Sequence, residues 1–171
     1  MGQSILFNGL GSQSVYLNVQ KNMIYRVRIV NAANLAYYNL AIAGHNLTLI
    51  SQGSTPIQLV VVKSLDIAAS QRFDFLLNTH NMLSLTYQIS IVTNWRGLDT
   101  TPSGLFNKVY LRYAGSTGIS PLVATNEIKL WNDQIGKIKP RGVVNVPKNA
   151  SKSFILDQAQ QYVNAKTFKG K

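Results

Sequence analysis

Apolar residues in this chain recur at every second position, and the three-to-four spacing of an amphipathic helix is nearly absent. In Tyr25-Arg26-Val27-Arg28-Ile29 the apolar residues share one side and both arginines the other. His45, Leu47 and Leu49 alternate with Asn46 and Thr48 in the same way, and Tyr87, Ile89 and Ile91 with Gln88 and Ser90. Phe73, Phe75 and Leu77 alternate with Arg72 and Asp74, although Leu76 blurs the outer side. A period of two is that of a half-buried strand, whose successive side chains point to opposite faces. The run Gln58-Leu59-Val60-Val61-Val62 is continuous and β-branched, and it predicts a strand buried on both faces.

Turn residues punctuate these runs: Asn8-Gly9 with Gly11, then Gly44, Gly53 to Pro56, Asn78 to Asn81, and Gly97 to Gly104. Seven or so short strands at this rhythm predict an antiparallel β-sandwich with Greek-key wiring. After Tyr113 the composition shifts. Ala114-Gly115-Ser116-Thr117-Gly118 reads as an exit loop, and residues 121–152 as a linker with one short element near Ile128 to Trp131. Ser153-Phe154-Ile155-Leu156-Asp157 reads as a further strand with too little chain after it for a second core. The expected division is a sandwich over 1–115, a basic linker over 116–152, and the opening strand of an incomplete β region over 153–171.

At 171 residues the chain is one domain, or one domain and part of another. With 46% hydrophobic and 13% charged residues it is globular rather than disordered. No apolar run approaches the roughly 18 residues that cross a bilayer as a helix. The first residues, Met1-Gly2-Gln3-Ser4-Ile5, have neither the basic flank nor the apolar core of a signal peptide. Either a cytosolic protein or a chain missing its true start is expected from that.

The net charge of +11 is uneven: residues 1–105 carry six basic and three acidic side chains, and residues 106–171 carry eleven and three. Lys137, Lys139, Arg141, Lys148 and Lys152 are spread among Gly, Pro, Val and Asn rather than stacked in a block. A solvated linker fits this spacing better than a nucleic-acid arm.

Four segments, in order, carry a resemblance. They are Leu6-Phe7-Asn8-Gly9, then Tyr25 to Ala32, then Gly44-His45-Asn46-Leu47-Thr48, then Ala69-Ser70-Gln71-Arg72-Phe73-Asp74. Together, over about residues 3–113, they resemble the second domain of laccase-like multicopper oxidases. Two departures stand out. Ser70 replaces the usual glycine, and Ala43 stands where many relatives have an acid before Gly-His. The segment leading to that motif, Leu35-Ala36-Tyr37-Tyr38, also lacks the carboxylate that contacts substrate in some fungal laccases.

The resemblance implies an all-β, cupredoxin-like Greek-key sandwich followed by a linker and the start of a third domain. It implies a parent enzyme that couples oxidation of a phenolic or other reducing molecule to reduction of dioxygen to water. In that family copper is held by the first and third domains, which would be this chain's partners. The second domain spaces them and helps wall the substrate cleft. Secretion follows from the same resemblance. For this chain the implied catalytic, cofactor-binding and metal-binding residues are none, and no enzyme activity of its own is expected.

The residues agree. Cysteine is absent, which excludes disulfides, cysteine nucleophiles and the thiolate of a blue-copper centre. Only His45 and His80 exist, too few for a copper cluster. His45 is expected to bond backbone at a strand start, and His80 to be solvated in a polar loop. Arg26, Arg28 and Arg72 are expected to pair with Asp66, Asp74 and strand-end carbonyls. Asp66 and Asp74 show no sign of a poised acid–base pair. No nucleophile elbow, phosphate loop or zinc helix is present. Trp95, Trp131 and the tyrosines, among them Tyr25 and Tyr87, are expected in packing rather than on a stacking surface.

Two N-glycosylation tripeptides occur, Asn46-Leu47-Thr48 and Asn149-Ala150-Ser151. The first is expected within a strand, where a glycan fits badly, and the second in the linker. Two other functions compete: a stand-alone, ligand-free binding module, and a basic nucleic-acid-associated protein. Salt-sensitive duplex binding would mark the latter. Exposed apolar surface would mark a domain stripped of its partners.

Overall fold

The computed structural model describes residues 5–11, 14–34, 36–93, 109–125, 136–143, 145, 149 and 152–156. Within them lie nine strands: β1 (Val15–Val19), β2 (Ile24–Val30), β3 (Tyr38–Ile42), β4 (Leu47–Gln52), β5 (Thr55–Val62), β6 (Ser64–Ile67), β7 (Arg72–Asn78), β8 (Thr86–Thr93) and β9 (Val109–Tyr113). They form a five-stranded sheet, β1-β9-β8-β3-β6, and a four-stranded sheet, β2-β7-β4-β5. The chain passes from one sheet to the other repeatedly, which is the sandwich that the alternation predicts. One pair departs from the antiparallel expectation: β1 lies parallel to β9, Val15 opposite Val109 and Val19 opposite Tyr113.

The alternating runs bury the sides they should. Leu47 and Leu49 of β4, Phe73, Phe75 and Leu77 of β7, and Tyr87 and Ile89 of β8 belong to one core shared by both sheets. Tyr25, Val27 and Ile29 pack against it from β2, while Arg26 and Arg28 face out. Removing such side chains from water is the main favourable term in the fold. At the entry to the sandwich Phe7 and Leu10 exchange hydrogen bonds at 3.0 Å around Asn8 and Gly9. Both turn residues have positive φ, 50° and 79°, as a tight two-residue turn requires.

β5 corrects an expectation. It is an edge strand, and Leu59 and Val61 are 70% and 62% exposed. The strand buried at every position is β6, Ser64-Leu65-Asp66-Ile67. A continuous β-branched run fits either place, because hydrophobicity alone does not report which face of a sheet has a second layer over it. β6 is covered although two of its four residues are polar.

Packing continues past residue 115. Ser120 and Ala124 are buried, and Ile119 bridges to Thr86. Farther on, Pro140 bridges to Ile57 of β5; Gln58 donates its N–H to Lys139 O at 2.9 Å, and Arg141 donates to Pro56 O at 3.0 Å. Ile138 packs on the core. Part of the segment expected to be a solvated linker is therefore strapped along the first half of the β5 edge. Phe154, Ile155 and Leu156 are exposed and belong to no strand; a strand needs a ladder partner, and none of the described residues gives them one. The short element expected near Ile128 to Trp131 lies outside the described residues, as do Trp95, Trp131, Leu35 and Lys148.

Candidate functional site

The most organised polar cluster lies where the chain crosses from β3 to β4. Ala43 and Gly44 form the turn, and Gly44 takes a φ of +71° that side chains rarely adopt. His45 follows it and is buried. Its Nδ1 lies 2.7 Å from Ala43 O, and its Nε2 lies 2.7 Å from the Tyr113 hydroxyl at the end of β9. A carbonyl only accepts, so Nδ1 carries the proton and bare Nε2 accepts from Tyr113. Tyr113 stacks on the imidazole at 5.9 Å between centroids, and Tyr87 of β8 meets it edge-on at 4.9 Å.

Burial disfavours charge on every member of this cluster that titrates away from its ordinary value. It lowers the His45 pKa, opposed by the hydrogen bond to Ala43. It raises that of the Tyr113 phenol, with Tyr87 and Tyr25 adding to the rise. The cluster is a neutral pin that ties the crossover to the five-stranded sheet.

Copper does not fit these residues. Each copper needs several imidazole or thiolate donors close together. Among the described residues no three His, Cys, Asp or Glu side chains gather. His45 has both ring nitrogens committed to the chain itself, and His80 sits on an exposed turn where its backbone N–H donates to Asn78 Oδ1 at 2.8 Å.

The remaining candidates separate. Arg26 and Arg28 both reach Asp74 on the outer face of the four-stranded sheet, with Arg26 Nε at 2.8 Å and Arg28 Nε at 3.7 Å from Oδ2. Both arginines are well exposed, so these pairs contribute roughly 0–1 kcal/mol. Arg72 lies opposite Val30 on that face. Asp66 is not in this group: it belongs to the other sheet, where Asn39 Nδ2 donates to its Oδ1 at 2.7 Å and to Ser64 Oγ at 3.2 Å. Burial raises the Asp66 carboxyl above the usual carboxylate range, and the Asn39 bond opposes that rise.

A feature that the sequence pattern did not indicate lies on the outer face of the five-stranded sheet. The Arg112 guanidinium sits 4.0 Å from the centre of the Tyr16 ring, Tyr16 stacks on Tyr110 at 5.5 Å, and Arg112 Nε donates to Asn18 Oδ1 at 3.1 Å. Parallel β1–β9 pairing brings these residues side by side from opposite ends of the sandwich sequence, so no local motif could reveal them.

Residues 1–116 match the family model described as multicopper oxidase. The chain belongs to the multicopper oxidase family. It is 28% identical over 184 residues to Laccase-5 of Trametes versicolor, covering 96% of this chain and 34% of the relative. With Laccase-1 of Pleurotus ostreatus the identity is 29% over 182 residues, covering 97% and 34%. The chain thus spans about a third of the length of the laccases it matches. Among solved structures it resembles a laccase from Botrytis aclada, with a TM-score of 0.56, 27% identity, and 68% of this chain and 21% of that one covered. Fet3p, a multicopper oxidase that functions in iron import, shares the fold at a TM-score of 0.56 and 22% identity, covering 70% and 22%. The two-sheet sandwich is the cupredoxin-like fold of this multicopper oxidase family. Among the described residues, no helix is long and apolar enough to cross a membrane.

Proposed function

We propose that this chain is the central, copper-free domain of a laccase-like oxidase, acting by position rather than by chemistry. On this reading it spaces the first and third cupredoxin domains, which hold the copper between them. Its loops form part of the wall of the cleft for a phenolic or other reducing substrate. The parent couples that oxidation to reduction of dioxygen to water and works outside the cell.

The observation that carries the proposal is the commitment of His45. The one buried imidazole of the chain has both nitrogens bound internally, at 2.7 Å each, so it is engaged as a structural group. The absence of cysteine points the same way. Support for interdomain faces comes from apolar side chains left in the open, including Ile24, Val30, Leu59 and Val61 on the four-stranded sheet and Leu122 and Val123 after β9.

Copper titration of the purified chain tests the copper-free part. No blue absorption, no trinuclear signal and no phenol oxidation are expected; stoichiometric blue or trinuclear copper would overturn it. Sequencing across both ends of the coding region tests the central position. Upstream His-Trp-His and downstream His-Cys-His segments are expected, and their absence would direct the search for function to binding.

A further inference from the structure

Arg112 is an exposed guanidinium that the fold holds in place and leaves without an acid. Its Nε donates to Asn18 Oδ1 at 3.1 Å, and its central carbon sits 4.0 Å from the centre of the Tyr16 ring. Tyr16 in turn stacks on Tyr110, the two rings 20° from parallel. Two carboxylates lie among the described residues, and neither is near. Asp74 pairs with Arg26 and Arg28 on the other sheet, and Asp66 lies on β6, at the opposite edge of this sheet from β1. The two terminal nitrogens of Arg112 therefore meet no acceptor among the described residues. Such a pair forms a fork that matches the two oxygens of a carboxylate. An arginine loses side-chain freedom when it takes a ligand, and the bonds to Asn18 and Tyr16 have already removed much of it here.

Arg112 and Ser116 line two shallow depressions. One of them, about 470 Å³, also has Tyr16, Tyr110, Thr86 and Thr117 on its walls, so charge, ring surface and hydroxyls meet in it. Its size falls within the range of small-molecule sites. Thr86 Oγ1 and Ser116 Oγ, 2.9 Å apart, brace one wall by bonding each other. We propose that this depression binds a small aromatic carboxylate. The carboxylate takes the Arg112 fork, and the ring lies against the tyrosine pair, offset or edge-on as aromatic groups prefer. An inorganic anion would use the fork alone and gain nothing from the two rings. The site lies on the outer face of the five-stranded sheet, away from the open apolar row of the four-stranded one. It is independent of the positional role and asks nothing of copper.

The experiment is NMR on the full chain carrying isotope-labelled arginine, with sodium benzoate added at constant ionic strength. The Nε–H signal of Arg112, identified by its loss in Arg112→Gln, is expected to shift and saturate with a Kd on the order of 1 mM. The benzoate ring protons should move upfield over the tyrosines. Benzamide offers the ring without the charge, and acetate the charge without the ring; each should bind about tenfold more weakly. No saturable shift overturns the proposal. Acetate as tight as benzoate overturns it too, because the site would then take any small anion, and benzamide as tight would remove the role of the fork. Arg112→Gln should abolish the benzoate response. Tyr16→Leu should weaken benzoate about fivefold while leaving acetate unchanged, and an unaltered benzoate affinity there would overturn the part given to the rings. Both side chains are exposed, Tyr16 by 41%, so neither change opens the core. The comparison of the three ligands, read from their own proton signals on the unaltered chain, decides the proposal even where a variant fails to fold.

Discussion

His45 Nε2 accepts the phenol proton of Tyr113 across 2.7 Å, linking residues 68 positions apart. Replacing Tyr113 by Phe keeps the ring but strands a buried nitrogen acceptor. An unsatisfied buried polar group costs about 1–3 kcal/mol. Tyr113→Phe is expected to lose that much in urea unfolding. Tyr87→Phe, which gives up only a 3.2 Å bond to Leu83 O, should lose less. Equal losses would mean that the His45 bond contributes nothing special.

The same pin makes stability depend on pH. Burial lowers the His45 pKa below its ordinary value of about 6.5, so in this range the unfolded chain binds the proton more readily than the folded one. The contribution is complete above the unfolded value and is lost as pH falls from there towards the folded value. Urea midpoints should hold between pH 8 and 7, then drop below pH 6.5. In His45→Gln the drop attributable to this group should vanish.

Asn31 closes a gap between the end of β2 and the opposite sheet. Its Nδ2 donates to Ile67 O and to Ala36 O, both at 2.9 Å, and its Oδ1 accepts from Ala33 N. Asn31→Ala should cost about 1–3 kcal/mol in thermal or urea unfolding, because it removes three bonds at a buried position. Asn31→Asp, which cannot donate to the two carbonyls, should not rescue it.

Core and edge should separate cleanly. Leu47→Ala removes a fully buried side chain and is expected to cost about 2–5 kcal/mol. Val61→Ala, on an open face, should stay within about 0.5 kcal/mol of the parent. A large loss at Val61 would indicate that the outer face is packed in solution.

Strands whose two sides differ could be located from their residues alone: β2, β4, β7 and β8 fall where alternation puts them. β5 and β6 could not, for opposite reasons. β5 is apolar yet leaves Leu59 and Val61 in the open, while β6, also at the edge of its sheet, carries Ser64 and Asp66 yet is buried, with Asn39 on the neighbouring strand bonding both. Polar residues that satisfy one another across a sheet look like surface residues until their partner is known. The placement of His45 at a strand start was legible in Gly44-His45; its tie to Tyr113 was not, since it depends on how the sheets meet. The strap at Lys139 to Arg141 bonds β5 through backbone groups, which leave no trace in side-chain pattern.

That strap gives the sandwich a different practical boundary from the one composition suggests. A chain cut at residue 115 would keep all nine strands yet lose Ala124 from the core and bare the start of the β5 edge. The Gln58 N–H and Pro56 carbonyl freed in this way, beside the exposed Leu59, are a template for another strand. Such a shortened chain should fold and then stick to itself, which makes the basic stretch after the sandwich its guard against aggregation.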